Sequence, residues 1–174
     1  FVAILVSMAV SLANRFTTMF GTLETEVAQR TAELSDANEQ LAEAARVDHL
    51  TGLLNRRGFA EEVEAERQRA NRKGTGFDVV LADVDHFKNF NDQHGHACGD
   101  HVLKRVSAIL QERIRDVDRI ARWGGEEFIL LLPETDVEGA ATLAEKLREA
   151  VADNVFEFGD ERLGLTMTFG IASH

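Results

Sequence analysis

The sequence predicts an α/β sandwich standing behind a helical stalk. Three observations point there: a heptad-like helical stretch before residue 48, β-branched runs alternating with helical periods after it, and a Gly-Gly pair joining two short extended runs. The 174 residues hold one domain of ordinary size plus an appendage, which excludes a large multidomain enzyme. With 44% hydrophobic and 28% charged residues there is enough apolar material for a packed core, so disorder is not expected. The formal net charge of −11, from 19 basic and 30 acidic side chains, argues against a nucleic-acid partner, because such grooves neutralise phosphates with Lys and Arg. Any phosphate bound here needs a local device. The single cysteine, Cys98, cannot form an internal disulfide, so the fold needs no oxidising compartment.

Because it opens at Phe1 and not at methionine, the sequence is expected to be a fragment of a longer chain. Residues 1–21 form an apolar segment in which only Ser7 and Ser11 are polar between Phe1 and Ala13. A helix of the thirteen residues Phe1 to Ala13 rises only about 20 Å against a hydrocarbon core of about 30 Å. It is therefore either the cytoplasmic-side end of a transmembrane helix, with Arg15 at the interface, or an apolar helix packed on a partner. Neither a basic start nor a cleavage pattern marks a signal peptide.

Residues 22–47 read as a coiled-coil signalling helix. With Val27, Leu34 and Leu41 at a positions, the d positions are Leu23, Arg30, Ala37 and Ala44. Such a helix is either a solvated amphipathic element or a parallel dimeric stalk. The absence of Gly and Pro from Glu24 to Leu50 favours the stalk, whose stability then depends on dimerisation.

Residues 48–174 carry the folded domain. Asn55 is placed to cap a helix running through Phe59, Val63 and Arg67 to about Arg72, ended by the Gly74–Gly76 turn. Phe77 to Asp85 is a compact β-branched run, read as a central strand with an acidic end. Asp100 to Arg115 follows a helical period through Val102, Val106, Ile109, Leu110 and Ile114. Arg119–Trp123 and Glu126–Leu132 form a hairpin whose two-residue turn is expected at Gly124-Gly125, with Pro133 closing the second strand. Val137 to Val151 is another amphipathic helix, and Leu163 to Ala172 alternates as a strand.

Carboxylates concentrate in two places, Asp83 with Asp85 and Glu126 with Glu127. Side chains alternate across a strand, so one member of each pair is expected to face a shared site. Two readings of them stand. Either they offer hard oxygen ligands to a divalent ion such as Mg²⁺, or they merely end a strand and decorate a solvated hairpin. The segment Phe87-Lys88-Asn89-Phe90-Asn91-Asp92 favours the first, because a helix start or turn there presents amides to phosphate oxygens with Lys88 as a point charge. Asn91 and Asp100 suit a guanine edge, and Gly95 and Gly99 are expected to let a loop turn around a base.

Four strings carry a resemblance: Asp48-His-Leu-Thr-Gly-Leu-Leu-Asn-Arg-Arg57, Asp83-Val-Asp-His-Phe-Lys-Asn-Phe-Asn-Asp92, Gly95-His-Ala-Cys-Gly-Asp100 and Gly124-Gly-Glu-Glu-Phe128. In this order they resemble the GGDEF family of diguanylate cyclases, in its GGEEF variant. The resemblance implies an α+β sandwich with a palm like that of class III nucleotide cyclases, its central, mainly antiparallel sheet flanked by helices. It also implies condensation of two GTP into cyclic di-GMP with release of pyrophosphate, in a homodimer joined through the N-terminal helix. By the same likeness Asp83, the Val84 carbonyl and Glu127 are metal ligands for Mg²⁺ or Mn²⁺. Lys88 and the amides near Phe87 are triphosphate contacts, and Asn91, His96 and Asp100 read or support the base. Glu126 is similar to the proton acceptor, and Gly124-Gly125 to the bare turn on which the nucleotide lies. Arg115-Asp-Val-Asp118 has the R-x-x-D spacing of the family's inhibitory site for its product. The family pattern continues past His174 into a helix whose basic residues contact terminal phosphates. With the apolar N-terminus, the resemblance implies the cytoplasmic domain of a bacterial protein anchored in the inner membrane. The alternative is a noncatalytic module that binds cyclic di-GMP or GTP.

Three further expectations are structural. Trp123 and Phe128 are read as packing residues, Thr51 and Asn55 as organisers of the domain's start, and His94, His96, Cys98 and His101 match no common zinc spacing.

Overall fold

A computed structural model describes residues 46–173 of the protein, with Met19, Val27 and residues 29–31 upstream. The chain divides into two units, Phe1–Ala44 and Ala45–His174. In the first, the five described residues are helical, and the Thr31 hydroxyl donates to the Val27 carbonyl at 2.7 Å. The heptad positions other than Val27 and Arg30, and the apolar segment other than Met19, lie outside the described residues. Among the described residues no helix is long and apolar enough to cross a membrane.

The second unit is an antiparallel sheet with helices on both faces. Its elements run α1 (Arg56–Lys73), β1 (Phe77–Val84), α2 (Phe87–His94), α3 (His96–Gln111), β2 (Arg119–Gly124), β3 (Glu127–Pro133), α4 (Val137–Ala152), β4 (Phe156–Phe158), β5 (Glu161–Leu163) and β6 (Met167–Ser173). Four strands lie in the order β2-β3-β1-β6, each antiparallel to its neighbour. β1 is central, as its β-branched run predicts.

Strand alternation divides the core. Val80, Ala82 and Val84 of β1 and Phe128, Leu130 and Leu132 of β3 point to one face, where Val102 and Val106 of α3 and Leu147 and Val151 of α4 bury them. The other face carries Phe77, Ala121 and Leu131 under Phe59 and Ala70 of α1. Further along this second face the cover ends: Leu81 is 42% exposed. Asp83, two residues on, and Glu127 opposite it share that thinly covered end.

Local chemistry sets the element ends. Asn55 caps α1 by accepting from the Gly58 amide at 2.9 Å, and Gly74 closes it in the left-handed conformation. Asp136 caps α4 in the same way, accepting from the Gly139 amide at 2.9 Å. Thr51 organises the start of the domain. Its amide and hydroxyl donate to Asp48 at 2.9 and 2.6 Å, and this turn joins the sheet where Arg122 N–H donates to the Leu54 carbonyl at 2.8 Å.

Three expectations are corrected. The helix read from Asp100 to Arg115 runs from His96 to Gln111, so Gly99 lies inside a helix and does not turn a loop. Its lack of a side chain serves close approach instead: a Cβ there would stand 1.9 Å from Asn91 Oδ1 and 3.1 Å from Phe87 Cζ. The strand read from Leu163 to Ala172 is split, because Leu163 pairs with Phe156 in the β4–β5 hairpin and β6 begins only at Met167. Leu165, between them, is buried in the core, so the apolar alternation continued through a segment that leaves one sheet and enters another. Finally, the two-residue turn is Gly125-Glu126, since Gly124 pairs with Glu127. Trp123 is the extra residue of a bulge on β2, and its ring meets Phe59 edge-on at 6.2 Å with the Arg56 guanidinium 4.6 Å from its centroid.

The α2–α3 contact yields a prediction. Gly99→Ala overpacks the junction and lowers unfolding free energy by about 1–3 kcal/mol in a urea titration. Adding Asn91→Ala removes the obstructing oxygen and recovers most of that loss, a coupling that independent sites would not show.

Candidate functional site

β1 delivers Asp83 one residue before its end, and β3 begins with Glu127 directly opposite. Facing residues in an antiparallel pair have Cβ atoms about 4.5–5.5 Å apart, so two carboxylates share one spot. Gly124 borders that spot: a Cβ on it would stand 3.8 Å from Glu127 Oε2, an ordinary contact. Glu126 stands beside them on the turn, after Gly125 at φ +49°. Burial pushes the Asp83 carboxyl above its ordinary range, and the charges of Glu126, Glu127 and Asp85 push it the same way.

Charge reaches further than the expectation that one member of each acidic pair faces the site. All three other carboxylates act on Asp83. Strand alternation does not separate Glu126 from Glu127, because Glu126 belongs to the turn, nor Asp83 from Asp85, because residues two apart lie on the same side of a strand. Asp85 is differently held. The Thr166 hydroxyl, 2.5 Å away, keeps its carboxyl below the ordinary value against the effect of burial, with Thr168 at 2.7 Å and the neighbouring His86 ring assisting. The sequence reading grouped Asp85 with Asp83 as a candidate ligand and did not single out Thr166 or Thr168. The i, i+2 threonines on a strand were the available signal.

After β1 the chain reverses through His86, whose φ of +57° is left-handed, and enters α2 at once. No side chain caps α2, so its first amides have no side-chain acceptor. Phe87 contributes only its amide there, because its ring is buried in the core, while Lys88 is exposed on the first turn. Likewise the Val84 side chain is buried, which leaves its carbonyl as the group able to serve a ligand. At the far end of α2, Asn91 packs on Gly99, and its buried Oδ1 has no partner among the described residues. His96 and Asp100 are exposed one turn apart on α3, so the α2–α3 junction brings the three base-reading candidates together. The remaining histidines and Cys98 diverge: His94 Nδ1 meets Glu161 at 2.7 Å, His101 lies against Phe158 at 5.6 Å, and Cys98 is buried.

Arg122 is a residue the sequence reading missed. Its Nε donates to the Gly125 carbonyl at 2.8 Å and its Nη1 meets both Asp48 oxygens at 3.3 Å, tying the acidic turn to the start of the domain. Arg115 and Asp118 form a closed pair away from this end. Asp118 accepts from the Arg115 amide at 2.9 Å and from Nη2 at 2.7 Å, with its side chain fully buried and that of Arg115 55% exposed.

Among the described residues no group of three or more His, Cys, Asp or Glu side chains is arranged to hold a metal ion. What the strand end offers is two facing carboxylates and nearby main-chain oxygens. That hard-oxygen set fits Mg²⁺, which keeps waters and takes substrate phosphates into an octahedral shell.

An antiparallel palm with an acidic strand end beside an uncapped helix start defines the class of domain. Residues 45–174 match the family model described as "Diguanylate cyclase, GGDEF domain". The chain is 44% identical over 135 residues to diguanylate cyclase DgcP of Pseudomonas aeruginosa, covering 78% of this chain and 20% of that protein. It is 42% identical over 136 residues to diguanylate cyclase DgcM of Escherichia coli K12, covering 78% and 32%. The crystal structure of the GGDEF domain of DgcB from Caulobacter crescentus in complex with c-di-GMP superposes with a TM-score of 0.72 at 32% identity, over 75% of this chain and 78% of that one. The chain belongs to the GGDEF family of diguanylate cyclase domains. It spans about a fifth to a third of the length of those two curated relatives.

The charge cluster predicts a pH-dependent cost. An aspartate whose pKa is raised by folding stabilises the folded state below its unfolded value near 3.8 and loses that contribution as pH rises through the folded value. Asp83→Asn is thus expected to raise Tm at pH 7 in chelator, with the difference closing below about pH 3.8. Added Mg²⁺ raises the Tm of the unaltered chain and not that of the variant.

Proposed function

We propose that this domain is a diguanylate cyclase, condensing two GTP into cyclic di-GMP and pyrophosphate between two copies of the chain. The observation that carries the reading is Asp83 facing Glu127 with Glu126 on the adjoining turn. Burial and then the neighbouring carboxylates raise the Asp83 pKa, and a divalent cation would offset the repulsion between them. Asp83, Glu127 and the Val84 carbonyl would hold Mg²⁺ or Mn²⁺, which when bound supplies charge stabilisation to the phosphates.

This chain's own groups account for the remainder. The α2 amides at Phe87 and Lys88, with the Lys88 ammonium, bind and orient the triphosphate. Asn91, His96 and Asp100 grip the guanine, and the side-chain-free Gly124-Gly125 lets the nucleotide lie on the turn. Glu126 accepts the proton of the 3′-hydroxyl as it attacks the α-phosphorus in line with departing pyrophosphate. Arg122 holds the turn that carries Glu126 by its bond to the Gly125 carbonyl.

Each domain holds one GTP, and the product is two-fold symmetric, so two half-sites must face each other. The helical residues of the N-terminal unit support a homodimeric stalk that raises the effective concentration of one half-site near the other. Arg115 and Asp118 are the reading for product inhibition. The domain is placed in the cytoplasm, with residues 1–21 as the end of a membrane anchor.

Three outcomes test this. Glu127→Ala abolishes formation of cyclic di-GMP from GTP and Mg²⁺ while circular dichroism shows an intact fold; retained turnover removes the metal assignment. The unaltered chain turning over GTP also separates the enzyme from a noncatalytic binding module. Deleting residues 1–44 lowers activity at dilute protein and restores it as concentration rises, read from initial rates across a dilution series.

A further inference from the structure

Asp85 stands two residues before Phe87 and three before Lys88. An aspartate so placed ordinarily accepts from the main-chain N–H groups two or three residues on, and at a helix start such a bond is a cap. Among the described residues Asp85 makes no bond of that kind. Its Oδ2 accepts from the Thr166 hydroxyl at 2.5 Å and its Oδ1 from the Thr168 hydroxyl at 2.7 Å, so both oxygens are turned toward β6. The Asp85 amide donates to the Thr166 carbonyl at 3.0 Å, which fixes the same residue by its main chain. His86, in the N-cap position, gives α2 no side-chain bond either.

Strand register makes this a choice between neighbours. Thr168 lies directly across from Asp83 on β6, as Glu127 does on β3, so the carboxylate nearest to it by pairing is that of Asp83. The Thr168 hydroxyl reaches diagonally to Asp85 instead. Two hydroxyls thus serve a carboxylate that local geometry would send to the helix, and Thr168 is not committed to the one read as a metal ligand. What results is a first turn of α2 without a side-chain cap, beside the exposed Lys88.

A carboxylate bound at those amides would occupy the place of a phosphate oxygen and repel the rest of the phosphate chain. We infer that Thr166 and Thr168 are positioning residues: by holding the Asp85 carboxylate at β6 they keep it from capping α2, and so leave the Phe87 and Lys88 amides to the triphosphate. The inference rests on the reading of those amides as triphosphate contacts. It adds the residues that keep them open.

Steady-state formation of cyclic di-GMP by the full chain tests it in a mutant cycle: the unaltered protein, Thr166→Val with Thr168→Val, Asp85→Ala, and all three changes together. Valine keeps the β-branched shape of the two exposed threonines and removes their hydroxyls. With Asp85 present, the valines raise KM for GTP roughly fivefold, the scale of one helix cap, while kcat falls less than about twofold. With Asp85→Ala in place the same valines leave KM within about twofold, since no carboxylate remains to compete. Serine at both positions restores the unaltered KM. In amide NMR spectra of the chain without nucleotide, the Phe87 or Lys88 proton moves downfield in the valine variant, as a new charge-assisted bond requires, and stays in place in the triple variant. Equal KM increases with and without Asp85, a fall in kcat at unchanged KM, or amide protons that do not move overturn the inference: the threonines then merely staple β6 to β1. Such results leave the cyclase reading intact, because the unaltered chain still turns over GTP. No turnover by the unaltered chain overturns that reading and this inference with it.

Discussion

The pairing of β1 with β3 in a register that sets Asp83 against Glu127 is the constraint on which the site depends. A slip of one residue would exchange the two faces of a strand, exposing Val80, Ala82 and Val84 and burying the acidic end. The fully buried apolar side chains on the α3–α4 face therefore hold two like charges together at the second face. Hydrophobic burial supplies the alignment, and electrostatic repulsion is its consequence. Burial first, and that repulsion second, raise the Asp83 pKa.

Around this pair the neighbouring elements are arranged for closeness and not for extra charge compensation. Asp85 is satisfied by threonine hydroxyls of β6, while Arg122 turns away to Asp48 and the Gly125 carbonyl. Burial alone would raise the Asp48 carboxyl, but the hydroxyl and amide of Thr51, with Arg122, outweigh it and hold the carboxyl below its ordinary value. One end of the acidic hairpin is thus anchored to the first turn of the domain. Because that turn follows the N-terminal unit in the chain, the start of the domain and the acidic turn share one ion pair.

The two poles of the sheet use charge in opposite ways. At one, carboxylates lie close and add to burial in raising the Asp83 pKa; at the other, Asp118 is closed on Arg115 while the buried Asp78 Oδ2 has no partner among the described residues. An R-x-x-D tetrapeptide read as a string suggests two ligand-facing groups. Folded, it is a turn in which the carboxylate serves the arginine; both line the groove beside Leu53 and Ile114, while of the two the arginine alone lines the groove beside Asp78.

Local chemistry was enough to find most elements by themselves. The Asn55 cap, the Gly74 stop, the β-branched run of β1 and the amphipathic period of α4 act over a few residues, so their physics is written in consecutive letters. The acidic residues and the Lys88 segment were legible for the same reason, as residue types fixed at short spacing. Tertiary structure alone decided what depends on partners distant in the chain. Trp123 bulges where Phe59 of α1 meets its ring, which moves the turn to Gly125-Glu126 and places Glu126 with Glu127 beside Asp83. Gly99 serves the approach of Asn91, Thr166 and Thr168 hold Asp85 across more than eighty residues, and Asp78 loses its solvent to strands and loops from both halves of the domain. Spacing along a chain carries the first kind of information. Contacts across a sheet carry the second, because pairing register and burial come into being only when the core closes.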